Sequence, residues 1–98
     1  MTEIPLTLCV FLWARSGEEA ALIEYEDRVL ALLPEHDGRV VQRFRSDGEP
    51  GAPFEVQVLE FASQAALDHY MADERRVAMA ELRERAIART QVLRVDSA

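Results

Sequence analysis

From Leu6 to Ala14 the chain reads Leu-Thr-Leu-Cys-Val-Phe-Leu-Trp-Ala, a strand pattern with hardly a polar atom on either face. Alternate residues of a strand point to opposite sides of its sheet. Leu6, Leu8, Val10 and Leu12 therefore need one apolar cover, and Cys9, Phe11 and Trp13 need another. The rest of the sequence offers two helical patterns, enough for one face of a small sheet. A second copy of the same chain is the economical cover for the other face.

With 98 residues the chain is expected to form one domain, spanning 1–98. At that size only ~60–65% of the unfolded surface is buried on folding, and a hydrophobic content of 49% is ample for the core. No apolar run reaches the ~18 residues of a transmembrane helix, so no membrane partner is expected. Met1-Thr2-Glu3 is acidic, the reverse of a secretory signal. The single cysteine, Cys9, fits a reducing cytoplasm, where the protein is expected to reside. A net charge of −7 argues against nucleic acid as a partner.

After the first strand, Ser16-Gly17-Glu18-Glu19 has the form of a capping box, in which Ser16 accepts from the Glu19 amide. The helix it opens repeats Leu22, Tyr25, Val29, Leu32 and Leu33, and it is weakened near its end by Pro34 before an Asp37-Gly38 turn. Arg39–Arg45 and Phe54–Phe61 read as strands joined by an irregular hairpin loop. Pairing Phe44 with Val56 puts Arg45 opposite Glu55 and Arg43 opposite Gln57. In that register Val40, Phe44, Val56, Val58 and Glu60 share a face, expected to look towards the helices. Ser63 caps a second helix, whose apolar register slips at Ala72-Asp73-Glu74 and predicts a break there. Gln91–Val95 is a short last strand.

Strand, helix, strand, strand, helix, strand is the order of a ferredoxin-like α+β fold. Right-handed crossovers put the first and third strands at the centre of a four-stranded antiparallel sheet and both helices on one face. The presumed edges carry Arg39, Arg43, Arg45 and Arg94, charges that discourage uncontrolled pairing.

His36-Asp-Gly-Arg-Val-Val-Gln-Arg43, then Val58-Leu-Glu-Phe-Ala-Ser63 leading into Ala65-Ala66-Leu67-Asp-His-Tyr70, resembles the dimeric α+β barrel superfamily. Within it the likeness is to the family of unknown function numbered 1330, which shows Gly-Gly-Arg before its second strand and Glu-Phe-Pro-Ser before its second helix. Here Asp37 and Ala62 replace the usual Gly and Pro, and Ala72-Asp73-Glu74-Arg75 stands where Ser-Pro-x-Tyr is common. The resemblance implies a homodimer. Relatives include cofactor-free monooxygenases acting on polyketide quinols, lactone isomerases, haem-dependent enzymes and proteins without demonstrated activity. Fold alone does not choose among them.

His69, one place from the buried stripe of the second helix, is the candidate general base, suited to enol or quinol deprotonation. Arg43 is the candidate grip for an anionic ligand. Trp13 and Tyr25 are candidates for stacking on a flat molecule, and Glu60 is a carboxylate expected against the helices. Each has a structural alternative: a half-exposed helical histidine, an edge arginine paired across the hairpin, core or interface aromatics, and a carboxylate reaching water near a strand end. His36 follows a helix end and suits its dipole. The Arg75-Arg76 pair, set among acidic residues, reads as a solvated face. Cys9 reads as an inert buried thiol.

There is no metal-ligand spacing, phosphate loop, dinucleotide fingerprint or nucleophile elbow, so neither metal nor cofactor is expected. The leading expectation is a homodimer that holds a small apolar or aromatic molecule. Its competitors are a cofactor-independent monooxygenase or isomerase for a phenolic, quinone-like or lactone substrate, and a regulatory interaction module. A closed sheet–helix cavity of ~300 Å³ or more, with two or more of these candidate groups converging inside it, separates the enzyme from the first reading. The third calls for a filled core and an exposed apolar patch left after dimerisation.

Overall fold

β1 (Leu6–Ala14) runs through the middle of a four-stranded antiparallel sheet, with β3 (Glu55–Phe61) on one side and β4 (Ile87–Val95) on the other. β2 (Gly38–Arg45) pairs with β3, so the order is β2-β3-β1-β4. The computed structural model describes residues 4–98, and the acidic Met1-Thr2-Glu3 lies outside them. This is the ferredoxin-like arrangement expected from the element order, with its helices packed on one face of the sheet. No helix of the described residues is long and apolar enough to cross a membrane.

The two faces of β1 have separate fates. Leu8, Val10 and Leu12 are buried against the helices. α1 (Glu19–Leu30) covers them because Leu22, Tyr25, Glu26, Val29 and Leu30 recur at helical spacing and are all buried. Burying a side chain such as Leu22 contributes ~1.5–3 kcal/mol. Cys9, Phe11 and Trp13 point the other way and stay half-buried on an open face.

The capping box does not form. Ser16 and Gly17 make a turn, with Gly17 at φ +79° and the Glu18 amide donating to the Arg15 carbonyl at 2.9 Å. The helix therefore starts at Glu19 behind Glu18, with no side-chain cap. At its far end the chain tightens into a 3-10 turn over Leu33–His36, with Pro34 in its first turn. Asp37 then adopts a left-handed conformation, φ 52°, and Gly38 opens β2. A Cβ at Gly38 would sit 3.0 Å from the Phe61 ring and 3.1 Å from Leu33, so only glycine fits without displacement.

β2 and β3 pair with Phe44 opposite Val56, Arg43 opposite Gln57 and Arg45 opposite Glu55, the expected register. A bulge at Val41 then puts Val40 opposite Leu59, so Val40 and Phe44 take opposite faces instead of sharing one. The expected orientation of β3 is reversed. Leu59 lies opposite Leu8, Gln57 opposite Val10 and Glu55 opposite Leu12. Glu55, Gln57, Leu59 and Phe61 are thus buried beneath the helices, while Val56, Val58 and Glu60 face the open side. Leu59 and Phe61 bring the larger apolar side chains to the core, and arginines neutralise Glu55.

Ser63 caps α2 (Gln64–Met71), its Oγ accepting from the Ala66 amide at 3.1 Å. The helix breaks at Ala72-Asp73, as the slip in apolar register predicts. It resumes as a single turn, α3 (Glu74–Val77), then as α4 (Ala80–Ala86). β4 begins at Ile87, four residues before the expected Gln91.

Candidate functional site

Between the sheet and the helices lies a cavity of about 290 Å³. Its walls are chiefly apolar, with Leu8, Val10 and Leu59 from the sheet and Val29 and Leu67 from the helices. Polar groups enter from Tyr25 and Glu26 on α1, Gln57 on β3, Tyr70 on α2, Arg76 on α3 and Arg83 on α4. Such a mixture, apolar bulk with a few placed polar groups, is the usual composition of a small-molecule site.

Glu26 and Glu55 are both buried and are joined through Gln57. The Gln57 amide nitrogen donates to Glu26 Oε1 at 2.7 Å and to Glu55 Oε2 at 2.6 Å. Glu55, at 0% exposure, also accepts from Arg43 Nε at 2.8 Å and Arg45 Nε at 3.1 Å. Arg43 Nη1 reaches Asp27 Oδ1 at 2.7 Å, which ties α1 to the edge strand. Glu26 has no arginine in salt-bridge contact among the described residues. Burial pushes its carboxyl up from the ordinary value, opposed by the Gln57 bond and reinforced by the charge of Glu55. A carboxyl of this kind can exchange a proton with a ligand nearer neutrality than an exposed glutamate does.

Tyr70 is packed 5.6 Å from the Phe61 ring centroid. The Arg76 guanidinium carbon lies 5.2 Å above the Tyr70 ring, a cation–π contact. Burial pushes the Tyr70 phenol up to about 12, against the opposing pull of Arg76. Burial likewise raises Tyr25, again opposed by Arg76. Both tyrosines are therefore neutral donors at physiological pH.

The helix break aims Arg76. Asp73 accepts from the Arg75 amide at 2.8 Å, capping α3, and its Oδ2 lies 2.7 Å from His36 Nε2. The bonds from Arg75 and then from His36 hold the Asp73 carboxyl well below the usual carboxylate range. Arg75 turns outward to Asp73 and to Glu35. One residue on, a helical step of ~100° turns Arg76 inward. The Nε of Arg76 is buried without a hydrogen-bond partner among the described residues. Of the pair expected on a solvated face, Arg75 is exposed and Arg76 lines the cavity.

The sequence candidates are dispersed. Tyr25 lines the cavity. Arg43 lies beside it, engaged with Glu55 and Asp27. His69 is exposed on α2, outside the cavity wall. Trp13 is on the open sheet face, with its Nε1 donating to the Gly51 carbonyl at 3.1 Å and Arg89 4.4 Å over its ring. Glu60 pairs with Arg39 at 3.1 Å, beside a second cleft of about 230 Å³ lined by Pro5, Asp37 and Gly38. Sequence reasoning missed Glu26, although it lies four residues after Leu22 and three before Val29, within the buried stripe. It also missed Arg76, whose inward turn depends on the break at Asp73.

No family model matches the chain, and no curated protein matches it in sequence. The narrower resemblance, to the family numbered 1330, therefore gains no support. Solved structures do match. A Pseudomonas aeruginosa protein superposes with a TM-score of 0.79 at 16% identity, over 100% of this chain and 98% of its own. A Caulobacter crescentus protein proposed as an antibiotic biosynthesis monooxygenase superposes at 0.79 and 16% identity, over 98% and 92%. A dimeric Bacteroides fragilis protein of unknown function and ferredoxin-like fold gives 0.71 at 11% identity, over 95% and 96%. At such identities the likeness establishes the fold alone.

Proposed function

We propose that the protein is a homodimeric α+β barrel that holds a small apolar or aromatic molecule between its sheet and helices. The observation that carries this reading is the cavity of about 290 Å³, apolar for most of its wall and polar where Tyr25, Glu26, Gln57, Tyr70 and Arg76 meet. Its size, just below the ~300–1,000 Å³ range of drug-sized ligand sites, suits a molecule of one or two rings. An interaction module would have a filled core. The dimer is supported by the open face of β1 and by the dimeric Bacteroides fragilis neighbour.

Titration with phenols, naphthalenes and quinones, followed by tyrosine and tryptophan fluorescence and by calorimetry, tests the reading. Wild type should bind at least one compound with a Kd below about 1 mM. Val10→Phe, which places a ring inside the cavity, should abolish that binding while circular dichroism stays native. Absence of binding across the panel, or binding that Val10→Phe leaves unchanged, would remove the proposal.

A second reading is favoured by Glu26. A buried carboxyl with a raised pKa on the cavity wall has the properties of a general base for a phenolic or enolic hydroxyl. In a cofactor-independent monooxygenase or isomerase, Glu26 would take the proton that the sequence reading assigns to His69. The Caulobacter crescentus neighbour supports this class. Turnover of an activated quinol or enol-lactone, falling ~10²–10⁴-fold in Glu26→Gln but not in His69→Ala, is its signature.

A further inference from the structure

All eleven basic residues of the chain are arginines. Seven of them meet carboxylates: Arg15 meets Glu84, Arg28 meets Glu24, Arg39 meets Glu60, Arg43 and Arg45 meet Glu55, Arg75 meets Glu35 and Arg85 meets Glu18. Arg76 and Arg83 are the two that line the cavity, and neither has a carboxylate in salt-bridge contact among the described residues. Among the described residues the Arg83 side chain reaches the Thr90 hydroxyl, at 3.5 Å. The Arg76 Nε–H is buried and finds no acceptor among those residues. A charge held in a partly buried wall without a counter-ion is costly, so the two guanidinium groups call for an acceptor from outside the chain.

The geometry narrows what that acceptor is. The Arg76 guanidinium carbon lies over the Tyr70 ring, and its N–H groups donate from the edge of a planar fork. A planar oxyanion is the group that such an edge binds best. Against Arg76 and Arg83 the cavity wall sets one carboxyl, that of Glu26. The wall is therefore net positive in a chain whose overall charge is −7. Beyond the arginines the lining turns apolar at Leu8, Val10 and Leu59.

We infer that the ligand is a small aromatic carboxylate, its oxyanion received by the Arg76 guanidinium beside the Arg83 charge and its ring lodged against Leu8, Val10 and Leu59. This rests on the cavity reading above and adds the chemical class of the occupant. Glu26 and Gln57 lie on the same wall and bound the carboxylate end of the site.

Calorimetric titration of the full chain at neutral pH, with naphthoate and with its neutral isostere methylnaphthalene, tests the inference. Wild type should bind naphthoate about 10- to 100-fold more tightly, the usual advantage of a hydrogen bond to a charged group. Arg76→Met should erase that preference while leaving methylnaphthalene affinity within about 3-fold, and Arg76→Lys should retain part of it. Equal wild-type affinities would overturn the anion assignment and leave the cavity reading standing. Uptake of neither compound would remove both. A preference that survives in folded Arg76→Met would also overturn the assignment.

Discussion

The Gln57 side-chain amide lies 2.7 Å from Glu26 Oε1, and through this contact the helix layer is hydrogen-bonded to the sheet at the polar end of the cavity. It brings a carboxyl into a site where its charge is poorly solvated, and burial raises the Glu26 pKa. A carboxyl raised in this way holds its proton more tightly in the folded chain. Its contribution to stability is full below the ordinary value of 4.5 and is lost as pH rises through the raised one. Thermal melts across pH 4 to 8 should show wild type losing stability over that interval and Glu26→Gln losing less. Each ~1 kcal/mol of difference reads as ~4–8 °C in Tm. Parallel profiles for the two proteins would contradict the raised pKa.

Glu55 stands in a different position, fully buried but bonded to Arg43, Arg45 and Gln57. Truncating one partner of a buried ion pair strands the others, at a cost of ~3–5 kcal/mol. Glu55→Ala should fall in that range by urea denaturation at neutral pH. Glu60→Ala, which removes a carboxylate paired with Arg39 on the more exposed side of the same strand, should stay within ~1 kcal/mol. Equal losses would mean that Glu55 is not the anchor of the cluster.

Gly38→Ala tests the close approach of β2 to the core. The added methyl would meet the fully buried Phe61 ring at 3.0 Å and Leu33 at 3.1 Å. Overpacking of this kind costs ~1–3 kcal/mol, to be read from denaturant midpoints at unchanged slope. A stabilised variant would show that the pocket around Phe61 yields easily.

The strand order was legible because β1 and β3 are the apolar strands and the edges carry arginines. The break in the second helix was legible because the apolar spacing slips there. The face of β3 was not. Polarity assigns Val56 and Val58 to the core, yet the chain buries Glu55 and Gln57 and leaves the valines beside Cys9 and Phe11. Two circumstances defeat the simple rule: Arg43 and Arg45 neutralise Glu55 from the neighbouring strand, and Leu59 and Phe61 on the same face supply the apolar bulk. Glu26 was within reach of periodicity alone. Arg76 was not, because its direction follows from a turn set by Asp73 and His36, which are far apart in sequence.

The valines on the open face lead to the last prediction. Phe44 is 53% exposed on β2 and Leu93 is 43% exposed on β4, either side of the half-buried Phe11. In a lone protomer, charging an exposed position changes stability by about 0.5 kcal/mol or less. Beneath a second copy, the same charge would be desolvated and unpaired, at a cost of several kcal/mol to association. Light scattering at micromolar concentration should therefore give wild type about twice the 11.1 kDa chain mass. Phe44→Asp and Leu93→Asp should run at the single-chain mass with native circular dichroism. Phe11→Asp, on the central strand between them, should lose the dimer and much of the fold together. A wild type that stays folded at 11.1 kDa would leave the open face without a cover and sink the dimer proposal.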